Sequence, residues 1–417
     1  MSGPMVILGN GCAGAECAIA LRENGYGGVI RMFADNSLPP ANPMLTTYYA
    51  SKRIAWETLF PYGMDFYEKY GIEFHKEEPV TELINMEHKV RTEKGIYDYE
   101  KCLAATGASA VRPPIPGCDN EKVLTVRTPQ DANALKAAWE KHPGHVLVVG
   151  ASMVGIKVVE MFCNQGADVT LADLAPGVFP LAASQDCAAI IEEDLKRRGI
   201  QLLFSSQLSA VQERADKRLL AKFGDGSSVV CDYLAMCVGV RTNLGFVNNQ
   251  SLAVDRGILV DGNMRSSDPD VFAAGDAAQA MNLSTHHPAI IGLLANARDQ
   301  GRAAGLGMMG EKAVFPGSFP HNITHYFDVD FVGIGDVRHF DQEKRYEKDG
   351  QFCQFFYTKG KLTGINTLGN MLPSGVVKNL MMKMALGGDM PEETGGRQAA
   401  VMQECALKEA GWEEMIK

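Results

Sequence analysis

The chain has 417 residues, 46% of them hydrophobic and 22% charged, the balance of a soluble globular protein with room for two or three domains. Its formal net charge of -10 argues against a general nucleic-acid binder, whose affinity would rest on lysines and arginines neutralising phosphates. No apolar run reaches the ~18 residues of a membrane span, so no membrane partner is expected, and with no signal peptide ahead of the first strand the expected location is cytoplasmic. Ten cysteines without a CxxC pair suit reduced thiols rather than a disulfide framework, a zinc site or an iron–sulfur centre. The nine histidines show no ligand spacing, so no metal is expected.

The first readable stretch is VILGNGCAGAE, Val6 to Glu16. An apolar run ending at Gly9 reads as a buried strand, and the spacing Gly9, Gly11, Gly14 supplies a tight turn, close backbone approach and helix–strand packing. A helix starting near Cys12 and Ala13 would turn its free amides and positive dipole end toward a pyrophosphate. It should stop at Asn24-Gly25, a C-terminal cap signal. A second strand, Val29 to Ala34, precedes Asp35, which sits on the order of 20 residues past the glycines. Asp35 either bonds ribose hydroxyls or is a solvated turn aspartate. Ser37 to Lys52 contains three prolines and reads as a defined loop. A helical stretch from Ile54 to Tyr70 and strands near Ile72–Phe74 and His88–Thr92 lead to KCLAATGASAVRPPIPG, Lys101 to Gly117.

A second copy of the glycine plan follows in HVLVVGASMVG, His145 to Gly155, with Gly150 and Gly155 in place and Ser152 where the middle glycine would stand. Two such units imply two dinucleotides. The expected elements are a strand Val146–Val149, a helix through Met161 ending at Gln165-Gly166, and a strand Asp168–Ala172 with Asp173 at its end. The next Lys or Arg after Asp173 is Lys196. A 2′-hydroxyl wants the carboxylate and a 2′-phosphate wants a nearby cation, so NADH fits better than NADPH. Strands at Gln201–Leu203, Leu219–Phe223 and Tyr233–Val240 would close this domain. GILVDGNMRSSDPDVFAAGD, Gly257 to Asp276, then returns to a short buried strand ending in an acid.

Beyond residue 316 the patterns suggest a small antiparallel sheet, with strands at Ile323–Val332, Gln351–Tyr357 and Leu362–Thr367 and a turn at Thr358–Lys361. Amphipathic helices are expected over Pro373–Leu386 and Arg397–Met415. The Met-rich run Leu380–Met384 is either a core stripe or a docking surface. His286-His287 would line a cavity or serve packing, and the basic groups Lys52-Arg53 and Lys196-Arg197-Arg198 would steer an acidic carrier or be ordinary charged faces.

Taken together, the residues resemble the two-dinucleotide flavoproteins of the pyridine nucleotide-disulfide oxidoreductase fold, with glutathione reductase-like, rubredoxin reductase-like and nitrite reductase-like branches. Four motifs carry the likeness in the family's order: Gly9 to Gly14, the Ala105-Thr106-Gly107 triplet, Gly150 to Gly155, and VFAAGD ending at Asp276. ANARDQGRAAG, Ala295 to Gly305, also resembles the family helix after Asp276. The resemblance implies an α/β chain with two Rossmann-like domains and a small C-terminal α+β interface domain. Residues 1–113 and 242–316 would bind FAD, 114–241 would bind NAD(H), and 317–417 would form the interface domain, with a homodimer as one use of it. It assigns Gly9, Gly11, Cys12, Ala13, Gly14, Asp35, Asn42, Thr47, Val80, Ala105, Thr106, Gly107 and Asp276 to FAD. Gly150, Ser152, Met153, Val154, Gly155, Asp173 and Gly239 go to the nicotinamide dinucleotide.

Two departures from the family pattern shape the functional expectation. Disulfide-reducing members carry redox cysteines near the flavin, yet Asp35 to Lys52 holds none. Cys12 and Cys17 lie five helical steps of ~100° apart, on different faces. Rubredoxin-type reductases place a Lys where Thr47 stands and a Glu where Lys157 stands, a swap resembling the nitrite reductase-like branch. Lys157 is therefore the expected catalytic side chain, stabilising negative charge on the reduced flavin, the alternative being a solvated helix lysine. The expectation is an FAD-dependent NADH oxidoreductase exchanging electrons with an iron–sulfur carrier of ferredoxin or rubredoxin type. The alternatives are an NADH oxidase acting on oxygen or another small oxidant, and a flavin-binding redox sensor or scaffold.

Overall fold

The computed structural model describes residues 3–248, 251–312, 314–348, 350–369 and 374–387. The chain separates into two compact units. The first contains the chain up to Leu45, Ile54–Ser109 and Val240–Ser318; the second contains Thr46–Arg53, Ala110–Gly239 and the chain from Phe319 onward.

In the first unit, five strands form a parallel sheet in the order Val271–Ala273, Lys101–Ala104, Met5–Leu8, Ile30–Phe33, Ile72–His75. Such strands are buried on both faces and read as continuous apolar runs; Met5 to Leu8 are all buried. The helix Cys12–Glu23 is buried over most of its length because small residues (Ala13, Gly14, Ala15, Ala18) let it lie close to the sheet. The helix Leu294–Met308 packs on it through glycines: a Cβ on Gly301 would collide with the backbone of Ala13, and one on Gly305 would stand 2.8 Å from the Cys17 carbonyl oxygen.

The second unit repeats the plan. Its parallel strands run Gln201–Leu203, Asp168–Ala172, His145–Val149, Tyr233–Met236, Val123–Thr125. The flanking helix Pro129–Trp139 opens on a complete capping box between Thr128 and Asp131, with Pro129 in its first turn. A five-stranded antiparallel sheet follows in the order His321–Tyr326, Val329–Gly335, Lys361–Leu368, Gln351–Thr358, Gln342–Lys348. Phe179 joins it to the parallel layer, with its ring centroid 4.9 Å from that of Phe331.

Several segments differ from the sequence reading. The proline-rich loop contains a short helix, Thr46–Ala50, beyond the last of its prolines. The expected helix over Ile54–Tyr70 is broken into Trp56–Leu59 and Phe66–Lys69, because Pro61 and Gly63, the latter at φ +90°, interrupt it. Tyr233–Val240 splits at Gly239, φ +108°. Ile323–Val332 is a hairpin rather than one strand, turned at Phe327 with φ +50°. The helix Ser374–Ala385 is present, whereas Arg397–Met415 lies outside the described residues.

Candidate dinucleotide sites

In the first unit, four of the singled-out motifs follow the carboxyl ends of neighbouring parallel strands. Gly9 follows Leu8, Asp35 follows the strand ending at Phe33, Ala105-Thr106-Gly107 follows Ala104, and Asp276 follows the strand ending at Ala273. This is the edge where open α/β sheets bind ligands. The glycines have different tasks. Gly9 has φ +104°, and a Cβ there would collide with the Ala105 carbonyl. A Cβ on Gly14 would collide with the Gly9 carbonyl, so helix and turn meet without a side chain between them. Gly11 caps the helix Cys12–Glu23 with extended backbone and no side-chain hydrogen bond, and a Cβ on it would meet no atom within 4 Å. The first-turn amides therefore face an open cradle shaped for an anion.

Around that cradle, Thr106 Oγ1 donates to the Asn243 carbonyl at 2.7 Å, and the Asn243 amide donates back to the Thr106 carbonyl at 3.1 Å. Asp276 is buried, and the Gly275 amide before it donates to Gln300 Oε1 at 2.8 Å. Asp35 is exposed and accepts from Asn36 at 3.0 Å. Asn42 accepts from the Met44 amide at 2.9 Å, forming a local turn, and Val80 opens the strand Val80–Ile84.

The spacing did not reveal a polar cluster behind the helix start. Tyr62 donates to the buried Glu16 at 2.9 Å, Arg298 Nε donates to the same carboxylate oxygen at 2.9 Å, and Cys12 Sγ lies 3.0 Å from the Tyr62 hydroxyl. Burial raises the Cys12 thiol pKa and outweighs the Tyr62 hydrogen bond, which lowers it, so the thiol is a poor nucleophile. The one available signal was a glutamate in the otherwise apolar stretch Cys12–Leu21.

In the second unit, Gly150 has φ +110°, and Cβ atoms on Gly150 and Gly155 would collide with the carbonyls of Cys237 and Gly150. Ser152 replaces the middle glycine at no conformational cost because its φ is -87°; its Oγ accepts from the Gly155 amide at 3.2 Å and donates to the Cys237 carbonyl at 3.1 Å. Met153 and Val154 open the helix Met153–Cys163, Val154 with its side chain exposed. The Asp173 carboxylate accepts from the Ala151 amide at 2.6 Å and the Ala175 amide at 2.7 Å, which ties it to the glycine turn. Gly239 follows the strand ending at Met236, with open space where a Cβ would be.

Lys157 is not a solvated helix lysine. Its ammonium pairs with Glu160, donates to the His325 carbonyl at 2.7 Å and lies 5.0 Å from the centroid of Tyr48. Arg53 reaches the same glutamate at 3.3 Å. Thr47, Tyr48, Ser51 and Met161 complete the walls of a shallow depression at this cluster. Thr47, assigned to FAD by resemblance, belongs to the second unit and is buried there. Cys12 and Cys17 are both free thiols, and among the described residues no group of three His, Cys, Asp or Glu is placed to hold a metal ion. No helix among them is long and apolar enough to cross a membrane.

A family model described as pyridine nucleotide-disulphide oxidoreductase matches residues 3–301. The chain belongs to that family. Pyridine nucleotide-disulphide oxidoreductases bind FAD and NAD(H), and the cradle at Gly11 and the turn at Gly150 to Gly155 fit the two diphosphates. The chain is 28% identical over 395 residues to the NADH-dependent phenylglyoxylate dehydrogenase subunit epsilon of Aromatoleum evansii, covering 91% of each. It is 26% identical over 373 residues to the assimilatory nitrate reductase electron transfer subunit of Bacillus subtilis, where 88% of this chain spans only 47% of that relative. In fold it is similar to a ferredoxin reductase from Rhodopseudomonas palustris, with TM-score 0.84 at 23% identity over 93% of this chain and 95% of that one.

Proposed function

We propose that this oxidoreductase passes electrons between NADH and an external iron–sulfur carrier of ferredoxin or rubredoxin type by way of bound FAD. The observation that carries the reading is the pairing of two glycine turns, each at the carboxyl edge of its own parallel sheet, in a chain whose segment Asp35 to Lys52 offers no redox cysteine. Bound FAD supplies a centre that takes two electrons as hydride and gives them up one at a time. The protein's share is binding and orientation rather than acid–base chemistry. The first unit holds FAD through the amides at Gly11 to Gly14, with Asp276 near the ribityl chain. The second holds NADH, with Asp173 presented to the adenosine ribose. Lys157, two residues past Gly155, steadies negative charge as the flavin is reduced.

An external acceptor is supported by the printed roles of the relatives, one an electron transfer subunit and one a ferredoxin reductase. The test is to mix the purified protein with NADH without oxygen and follow flavin bleaching, then add a ferredoxin or a rubredoxin. Rapid bleaching, followed by recovery of colour as the carrier is reduced, is the expected result. Bleaching that reverses only with oxygen points instead to an oxidase, and no bleaching to a sensor or scaffold.

A further inference from the structure

Asn296 has a hydrogen-bonding capacity that the fold leaves unused. It lies in the first turn of the helix Leu294–Met308 with 4% of its surface exposed. Its Nδ2 donates to the Ile291 carbonyl at 3.0 Å. A carbonyl only accepts, so the nitrogen must face it and Oδ1 is the atom left over. That oxygen is buried without a hydrogen-bond partner, a condition that protein interiors avoid unless something else satisfies it.

The surroundings are those of the FAD site. Ile291 adjoins Gly292, where a Cβ would stand 3.5 Å from the Asp276 carboxylate. A Cβ on Gly275 would lie 3.6 Å from that of Ala297, the residue after Asn296. Cys12 Sγ lies 4.0 Å from the Leu294 carbonyl. The first turn carrying Asn296 is thus fixed beside Asp276 and beside the start of the helix Cys12–Glu23.

Strand order indicates which half of the cofactor arrives there. Asp35 follows the strand on one side of Met5–Leu8, the glycine turn follows Met5–Leu8 itself, and Asp276 follows the strand at the far edge on the other side. A dinucleotide with its adenosine at Asp35 and its pyrophosphate at Gly11 runs on toward Asp276. Resting on the FAD reading above, we propose that Asn296 Oδ1 accepts a hydrogen bond from a donor on the ribityl–isoalloxazine half of FAD.

The test titrates apoprotein with FAD, and separately with ADP as a probe of the adenosine half, for wild type and Asn296→Leu. Losing a neutral hydrogen bond to the cofactor is expected to weaken FAD binding about 3- to 10-fold with ADP affinity unchanged, while the lost Nδ2 bond to the Ile291 carbonyl lowers the apoprotein's thermal midpoint in this variant and in Asn296→Ala alike. Asn296→Ala removes the same oxygen with less crowding and gives a second reading should leucine not fit. Unchanged FAD affinity in both variants would overturn the inference, as would an equal loss for FAD and ADP, which marks a structural role. Wild type failing to bind FAD at all would overturn the functional reading as well, so the two failures are distinguishable.

Discussion

Lys157 and Glu160 form an ion pair one helical turn apart, with only 14% and 4% of their side chains exposed. Breaking a pair this well buried leaves a charge that water cannot reach. Arg53 remains at 3.3 Å from the carboxylate, which softens the loss. Lys157→Met is expected to destabilise the protein by about 2 kcal/mol in denaturant unfolding, and Lys157→Met with Glu160→Gln by less than the single change. In stopped-flow mixing, Lys157→Met should also slow flavin reduction by NADH; an unchanged rate removes the catalytic assignment and leaves the structural one.

The two glycines of the first turn should fail differently. Gly14→Ala forces a methyl against the Gly9 carbonyl and is expected to cost roughly 1–3 kcal/mol of apoprotein stability. Gly11→Ala meets open space in the protein, so the apoprotein should lose only the ~0.5–1 kcal/mol of a poorer helix cap. Its methyl would occupy the phosphate cradle, and FAD affinity should fall about tenfold or more. Calorimetry of the apoproteins beside flavin titrations separates the two.

Asp173 has given one hydrogen-bonding position on each oxygen to backbone amides, Ala151 to one and Ala175 to the other. Both oxygens keep capacity for a vicinal diol, and the fixed charge repels a 2′-phosphate. Steady-state kinetics should show kcat/KM for NADH exceeding that for NADPH by about 100-fold or more. Asp173→Ala should narrow the ratio mainly by lowering the NADH value.

His321, at the start of the strand His321–Tyr326, offers a pH signature. Burial, aided by the charge of Lys378, lowers its pKa from 6.5 to about 4, and its Nε2 has no partner. The folded state holds it neutral while the unfolded chain protonates it near 6.5. Its contribution to stability is therefore complete above that pH and is lost as pH falls toward 4, by about 3 kcal/mol in all. His321→Asn should flatten that part of the stability profile measured by urea unfolding.

What could be read beforehand follows from the range over which each feature is encoded. The glycine turns are local: φ above +100° at Gly9 and Gly150, and carbonyls too close for any Cβ, leave a mark within a few residues. The strands that precede them are buried on both faces and show as apolar runs. By contrast, Glu16 meets Tyr62 across 46 positions and Arg298 across 282, and no short window carries such pairings. Phe327 at the hairpin turn misled because its φ of +50° is unusual for an aromatic residue, so the β-branched and aromatic residues on either side looked like one strand. Thr46–Ala50 escaped because the prolines ahead of it masked a segment whose helix is stabilised by packing against Pro129–Trp139.

That last segment bears on how the gene can be cut. Tyr49 donates to Asn133, Lys52 pairs with Glu140 at 2.8 Å, and Arg53 holds Glu160, so a nucleotide module excised as residues 110–239 would lack eight residues that complete its surface. Fusions, split versions or chimeras should graft this octapeptide along with the module.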